Sequence, residues 1–126
     1  MPLRIYPTVA EVIETHRLLI DQFGGPHGIR DQGLLESAVF RPRSGYYANI
    51  IDESSALMES LANNQAFLDG NKRLAFVMTD TMLRANGYFL DVEPVEAHRL
   101  ISEQMNKQEF RFSWIRQWIT SIIKTL

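Results

Sequence analysis

One short polar run constrains the fold of this chain more than any other feature. Asp69-Gly70-Asn71-Lys72-Arg73 places a carboxylate, a glycine, an amide and two cations in consecutive positions between two stretches of helical periodicity. We therefore expect a tight loop that leads directly into the N-terminus of a helix. Free backbone N–H groups and the positive end of the helix dipole favour an anion there, and Lys72 and Arg73 add positive charge. The run predicts a phosphate-binding site, and the alternative is a solvated Asp-Gly turn before a basic helix start.

The same run contains one candidate metal ligand. Mg²⁺ usually takes one or two protein carboxylates and completes its shell with phosphate oxygens and water, so Asp69 is the residue to hold it. Gly70 allows the backbone to approach an anion closely. Together these residues predict a nucleotide-phosphate site.

Composition limits the other possibilities. A chain of 126 residues with 45% hydrophobic and 22% charged residues is expected to form one globular domain over 1–126. Its net charge of -2 gives no reason to expect direct nucleic acid binding, and the lack of cysteine excludes disulfides and thiolate zinc sites. No apolar run has membrane-spanning length and no secretory core is visible, so we expect a cytoplasmic protein without membrane contact.

The hydrophobic periodicity predicts an all-α fold, a compact single-domain bundle of about six helices. A brief extended segment, Tyr88-Phe89-Leu90, is expected after the fourth helix. The helices are expected to begin or end at these signals: a capping box at Thr8–Glu11 with a helix to Gly24-Gly25, an Asp31 cap with a helix ending before Pro42, a start at Ser54-Ser55, a helix over Asn71–Asn86, a start at Pro94, and a Ser113 cap with an apolar stripe to Leu126.

Several polar and aromatic residues are assigned from this pattern. Gln65 is expected at the C-terminal end of the third helix, pointing inward toward the anion loop, and Phe67 is expected to anchor the loop in the core. His16 is read as a satisfied, partly buried histidine without a chemical role, and His98 as an exposed one. The three histidines are too scattered for a zinc site, and neither a Gly-x-Ser-x-Gly elbow nor a Walker loop is present.

The order of residues from Gln65 to Arg73 resembles a known signature. It is similar to the Fic/Doc (Fido) motif His-x-Phe-x-(Asp/Glu)-(Gly/Ala)-Asn-(Gly/Lys)-Arg, and the lysine at position 72 is typical of the Doc, or death-on-curing, branch. Phe76 stands where the Fic branch has a second arginine. A second segment, 28–33, resembles the Doc pattern Gly-(Ile/Met)-x-Asp-x-Gly, which extends the resemblance over most of the chain.

This resemblance implies a Fido-type fold and a toxin of a toxin–antitoxin system. Family members transfer a phosphate or nucleotidyl group from ATP or another nucleoside triphosphate, with Mg²⁺, to a protein hydroxyl. The lysine favours phosphate transfer over AMP transfer, and the best-known Doc target is a threonine of translation elongation factor Tu. The resemblance also implies a cognate antitoxin whose amphipathic segment lies in a groove beside the active site.

The resemblance assigns roles residue by residue. Asp69 would bind magnesium, while the Gly70 backbone, Asn71, Lys72 and Arg73 would hold the phosphates. A flap after the second helix would make Arg41, Arg43 and Tyr46 candidates for target or nucleotide contacts, with a solvated surface turn as the alternative.

Gln65 departs from the signature, because the family has its catalytic histidine there. A glutamine amide cannot act as a general base near neutral pH. Three accounts remain open: an engineered substitution, a natural variant that has lost or changed its activity, or a variant that uses another base. Two functions follow, a Doc-like transferase weakened or silenced at Gln65, or a catalytically inactive Fido-fold module that binds nucleotide or antitoxin.

Overall fold

Six α-helices and two short strands make up the part of the chain that the computed structural model describes, residues 3–126. This confirms the predicted all-α bundle and its number of helices. In chain order the elements are α1 (Val9–Phe23), α2 (Gln32–Phe40), a 3₁₀ turn (Arg41–Arg43), α3 (Ile50–Asn63), α4 (Asn71–Ala85), β1 (Tyr88–Leu90), α5 (Pro94–Asn106), α6 (Phe112–Ile122) and β2 (Ile123–Thr125).

Local signals determine where the first two helices begin. The Thr8 hydroxyl accepts the Glu11 N–H at 3.1 Å while the Glu11 carboxylate accepts the Thr8 N–H at 3.0 Å, so the predicted capping box is present. Asp31 caps α2 by accepting the Leu34 N–H at 2.9 Å. α2 ends at Phe40, ahead of Pro42 as predicted.

The predicted start of α3 at Ser54-Ser55 was wrong. The helix begins at Ile50, because Asn49 accepts the Asp52 N–H at 2.9 Å and is the N-cap. Both serines are fully buried inside the helix, and their hydroxyls donate to the Ile51 carbonyl at 3.0 and 2.7 Å. Back-bonding of this kind satisfies a serine within a helix and removes the need for it to be a cap.

Both ends of the last helix also differ from the prediction. Ser113 is not the cap: α6 begins at Phe112, whose N–H donates to the Glu59 carboxylate of α3 at 2.7 Å. The apolar stripe does not continue as helix to Leu126, because β2 turns extended at Ile123 and pairs antiparallel with β1, with Phe89 opposite Lys124. The β-branched residues Ile123 and Thr125 suit this pairing.

One hydrophobic core receives side chains from all six helices and β1. α3 lies deepest, with ten of its fourteen residues buried. α4 packs along it, and the loop between these two helices carries the polar run, so the core fixes both sides of the candidate site. In residues 3–126, none of the helices is both long and apolar enough to cross a membrane.

Candidate active site

The loop between α3 and α4 begins with a strained residue. Gln65 has a φ of 53°, a left-handed conformation that few residues other than glycine adopt. The guanidinium of Arg30 donates to the Gln65 carbonyl at 2.6 Å and to the Asn64 carbonyl at 2.9 Å, which satisfies carbonyls at the end of α3. Arg30 therefore holds the backbone that presents the Gln65 side chain.

The segment before α2 is paired with this loop. The N–H groups of Arg30 and Asp31 both donate to the Ala66 carbonyl, at 2.7 and 3.0 Å, and Leu68 N–H donates to the Gly28 carbonyl at 3.1 Å. Ile29 and Phe67 form an isolated antiparallel bridge. The segment from Gly28 to Asp31 is thus a clamp on the candidate site.

His16 fixes the centre of the loop from α1. It is buried, with 3% exposure, and its Nε2 lies 2.7 Å from the Asp69 carbonyl oxygen. Because a carbonyl can only accept, Nε2 carries the proton and donates. The imidazole also stacks on the Phe67 ring, with 3.8 Å between centroids. His16 is the satisfied buried histidine that was predicted and Phe67 is the predicted anchor, but the link from His16 to the loop was missed.

Gly70 makes the turn into α4. Its φ of +77° is left-handed, and no side chain caps the helix at this point. A Cβ here would lie 3.1 Å from Ile20 Cδ1 and 3.7 Å from His16 Nε2. Glycine therefore brings the backbone against α1 and leaves the N-terminus of α4 without a side-chain cap, which is the arrangement an anion needs.

Asn71 serves the loop itself. The residue is buried, its Oδ1 accepts the Phe67 N–H at 3.2 Å, and its Nδ2 donates to the Phe67 carbonyl at 3.0 Å. Since the side-chain amide is buried and holds the loop backbone through both its oxygen and its nitrogen, the backbone N–H is the group that we expect Asn71 to offer to a phosphate.

Asp69 presents an exposed carboxylate beside the turn. Its Oδ1 accepts the Gly70 N–H at 2.7 Å, and its Oδ2 lies so close to Gly25 that a Cβ on that glycine would be 2.6 Å away. No group of three or more histidine or acidic residues among residues 3–126 forms a ready metal site. A single exposed carboxylate fits Mg²⁺ that arrives with phosphate oxygens and water, and does not fit a cage built from protein ligands alone.

The predicted site residues share one cleft of about 410 Å³. Lys72 and Arg73 are half-buried at its edge, and the Arg73 guanidinium lies 4.0 Å from the centre of the Phe23 ring, in cation–π contact. Gln65 lines the cleft from the loop. The prediction that it ends α3 and points inward was wrong, because α3 ends at Asn63 and the Gln65 side chain is exposed. The lining residues are Gln65, Leu68, Asp69, Gly70, Asn71, Lys72, Arg73 and His98.

His98 is the site residue that the sequence missed. It was predicted to be exposed, yet it is half-buried in α5, and its Nδ1 is buried without a partner among the described residues. Burial lowers the pKa of His98, and the charges of Arg73 and Lys72 lower it further. The sequence did contain a signal for the partial burial of His98. This residue lies three positions before Ile101 on the same helix and next to Ala97, and both of these apolar residues are fully buried in α5.

The candidate flap residues do not join this cleft. Arg41 is held by the Glu59 carboxylate at 2.8 Å and the Tyr47 hydroxyl at 2.7 Å, and these bonds raise its pKa although burial acts in the opposite direction. Arg43 packs over the Tyr6 ring at 5.2 Å. Arg43 is nevertheless exposed and Tyr46 is 85% exposed, so these two remain open to contact a partner, whereas Arg41 is half-buried.

Sequence similarity to known proteins identifies the family of this chain. The chain belongs to the Fic/DOC family, whose model matches residues 6–83 and so includes both the clamp and the whole loop. Over 88 residues it is 41% identical to a protein named toxin Doc from Mycolicibacterium smegmatis, in an alignment that covers 64% of this chain and 68% of that protein. The chain is thus a Doc-like member of the family, as the loop sequence indicated.

Proposed function

We propose that this chain is a Doc-like toxin that binds a nucleoside triphosphate, with ATP as the first candidate, and transfers its terminal phosphate to a protein hydroxyl. The observation that carries the proposal is the left-handed Gly70 at the uncapped N-terminus of α4, in one cleft with Asp69 and Lys72. The similarity to a protein named toxin Doc supports the toxin part of this proposal. Elongation factor Tu is the target we would test first.

Different groups of the chain would bind the phosphates and the magnesium ion. The first N–H groups of α4 and the Lys72 ammonium would hold the phosphates, while Phe23 keeps the Arg73 guanidinium stacked at the side of the cleft. Asp69 would hold Mg²⁺, which when bound would neutralise charge that develops on the phosphates. Phosphoryl transfer depends mainly on such positioning and charge neutralisation.

Gln65 sets the expected rate. It lines the cleft where the family signature has a histidine, but its amide cannot take the proton of an attacking hydroxyl. Loss of a general base typically lowers a rate by about 10²–10⁴-fold. We therefore propose slow transfer by the chain as it stands and faster transfer by a Gln65→His variant.

The test is transfer of ³²P from γ-labelled ATP to purified elongation factor Tu, with Gln65→His beside the unaltered chain. Asp69→Asn in the Gln65→His background is the control, because it keeps the shape of the loop and removes the carboxylate. The proposal predicts magnesium-dependent label that is strong with Gln65→His and lost in the control. Label that persists in the control, or an unaltered chain as fast as Gln65→His, would contradict the assigned roles.

A second function is favoured by one observation, the presence of Gln65 where the family signature has its catalytic histidine. A Fido-fold module that binds nucleotide without chemistry would keep the loop, the clamp and Lys72 while lacking a base. Magnesium-dependent ATP binding without label from either the unaltered chain or Gln65→His would support this module over the transferase.

We further propose that a cognate antitoxin covers the apolar groove beside the cleft. The groove has a volume of about 400 Å³ between α1, α4 and α5, and Val95 at its edge is 83% exposed. An amphipathic helix of the antitoxin would place its apolar face there. Val95→Asp is expected to prevent rescue of cell growth by the antitoxin, whereas unchanged rescue would place the antitoxin elsewhere. The lining residues are Leu19, Gln22, Phe23, Lys72, Arg73, Phe76, Val77, Pro94, Val95 and His98.

A further inference from the structure

His98 lies in the cleft without belonging to the family's signature. It comes from α5, beyond the residues 6–83 that the family model matches. It lines the 410 Å³ cleft together with the loop and also lines the neighbouring 400 Å³ groove. Its position is therefore the junction between the candidate phosphate site and the apolar surface beside it.

Within residues 3–126, the His98 imidazole lacks a hydrogen-bond partner at one of its nitrogens in the free protein. Its Nδ1 is buried, and no hydrogen-bond partner for it exists among the described residues. Burial lowers the pKa of His98, and the nearby charges of Arg73 and Lys72 at the start of α4 lower it further. Buried unpaired nitrogens are uncommon in folded proteins, and a perturbed titratable group in a cleft is typical of a functional site.

The charges around His98 come from three elements. α4 supplies Lys72 and Arg73, and the loop supplies the Asp69 carboxylate at the other side of the same cleft. On α5, the Arg99 guanidinium is held by Glu96 and Glu103. The α1 residues that line the neighbouring groove are uncharged: Leu19, Gln22 and Phe23. The free cleft thus places two cations, Lys72 and Arg73, near His98, and a bound polyanion would neutralise them.

We propose that His98 is a phosphate-contacting residue of this cleft, which takes up a proton when the anion binds and donates a hydrogen bond to it. This inference rests on the proposed phosphate site. An anion seated at Lys72 and Arg73 would offset the part of the pKa lowering that these two cations add to the effect of burial, and it would give the ring an acceptor. Because the bound imidazole is protonated, His98 does not supply the base that is missing at Gln65.

Proton uptake makes the binding pH-dependent. Between the pKa of His98 in the free protein and its higher value in the complex, affinity for the anion should rise as the pH falls, by up to about tenfold per pH unit. Well above that window His98 is neutral in both states and contributes little charge. Replacing His98 by glutamine should therefore weaken binding about tenfold at low pH and little at high pH.

The experiment is calorimetric titration with inorganic tripolyphosphate at about pH 6 and pH 8.5, in two buffers of different ionisation enthalpy. The protons taken up are compared between the unaltered chain and His98→Gln, because tripolyphosphate itself also titrates and this difference cancels its contribution. His27→Gln is the matched control, since His27 is half exposed and pairs with Asp21. Less uptake and weaker binding at pH 6 in His98→Gln, but not in His27→Gln, is the expected result.

A second measurement does not depend on the folding of any variant. The pKa of His98 is read from its ring proton shifts by NMR in the unaltered chain, with and without tripolyphosphate, and a rise on binding is expected. Binding without such a rise, or uptake unchanged in His98→Gln, overturns the role of His98 and leaves the phosphate site standing. Lack of tripolyphosphate binding by the unaltered chain overturns the phosphate site and this inference with it.

Discussion

Replacement of Gly70 by alanine tests whether the backbone turn into α4 creates the anion site. The φ of +77° disfavours any residue with a Cβ, at a cost of about 1–2 kcal/mol. The new methyl group would also lie 3.1 Å from Ile20 Cδ1, so that side chain must shift by a few tenths of an ångström. We expect Gly70→Ala to lose about 2–3 kcal/mol of unfolding free energy in total.

A matched control lies at the other end of the same helix. Gly87 has a φ of +96°, and no atom lies within 4 Å of the position that its Cβ would take. Gly87→Ala should therefore show the conformational cost alone, about 1–2 kcal/mol. Urea denaturation of the two variants separates the contact with α1 from the backbone term.

Binding then distinguishes the site from the fold. Tripolyphosphate affinity, measured by calorimetry at a temperature where both variants are folded, should fall at least about tenfold in Gly70→Ala, because the loop backbone must move. It should stay unchanged in Gly87→Ala. A folded Gly70→Ala that binds tripolyphosphate as tightly as the unaltered chain would refute the reasoning.

Three further outcomes follow from the same contacts. Asn71→Ala should lower unfolding free energy by about 2–4 kcal/mol in urea denaturation, because the Phe67 N–H and carbonyl lose their partners; a loss below about 1 kcal/mol would contradict this. His16→Phe keeps a ring on Phe67 but removes the donor to the Asp69 carbonyl, so it should cost about 1 kcal/mol and weaken tripolyphosphate binding, whereas His27→Phe should leave binding unchanged. His98 has a pKa below 6.5 in the folded chain, so the unfolded chain binds its proton first and stability should fall as the pH drops below about 6.5. His98→Gln should flatten that part of the stability curve, and an unchanged slope in denaturation between pH 5 and 8 would contradict the burial of this histidine.

Much of the fold was readable because single residues determine local structure. A helix starts or stops wherever one residue caps free backbone groups or has a backbone that cannot continue the helix. The positions of this kind are Thr8 with Glu11, Asp31, Pro94 and Gly87. The predicted start of α3 overlooked a local cap, Asn49, whereas the errors at the two ends of α6 came where a distant residue intervenes. Glu59 of α3 accepts the first N–H of α6, and strand β1 draws the end of the chain out of the helix.

The residues of the candidate site also fall into those that are adjacent in the sequence and those that only packing brings together. The loop residues from Gln65 to Arg73 were found because their order in the chain carries the information. The residues that hold the loop, His16 and Arg30, were not linked to it, because their partners are backbone carbonyls 53 and 35 positions away in the chain. His98 reaches the cleft only because α5 packs on α4. The periodicity of α5 places His98 at the border of the buried face of the helix, but it does not show which part of the protein lies beside that border.

The most direct test of the central claim is an NMR titration of the ¹⁵N-labelled chain with Mg²⁺ and ATP. We predict that the largest amide shifts fall on Gly70, Asn71, Lys72 and Arg73, since the N–H groups of the last three would contact the phosphates and the Gly70 N–H is held by Asp69, the expected magnesium ligand. We also predict that Lys72→Ala reduces the affinity while leaving the rest of the spectrum in place. Shifts concentrated away from this loop, or a spectrum that ATP does not change, would show that the N-terminus of α4 is not a nucleotide-phosphate site.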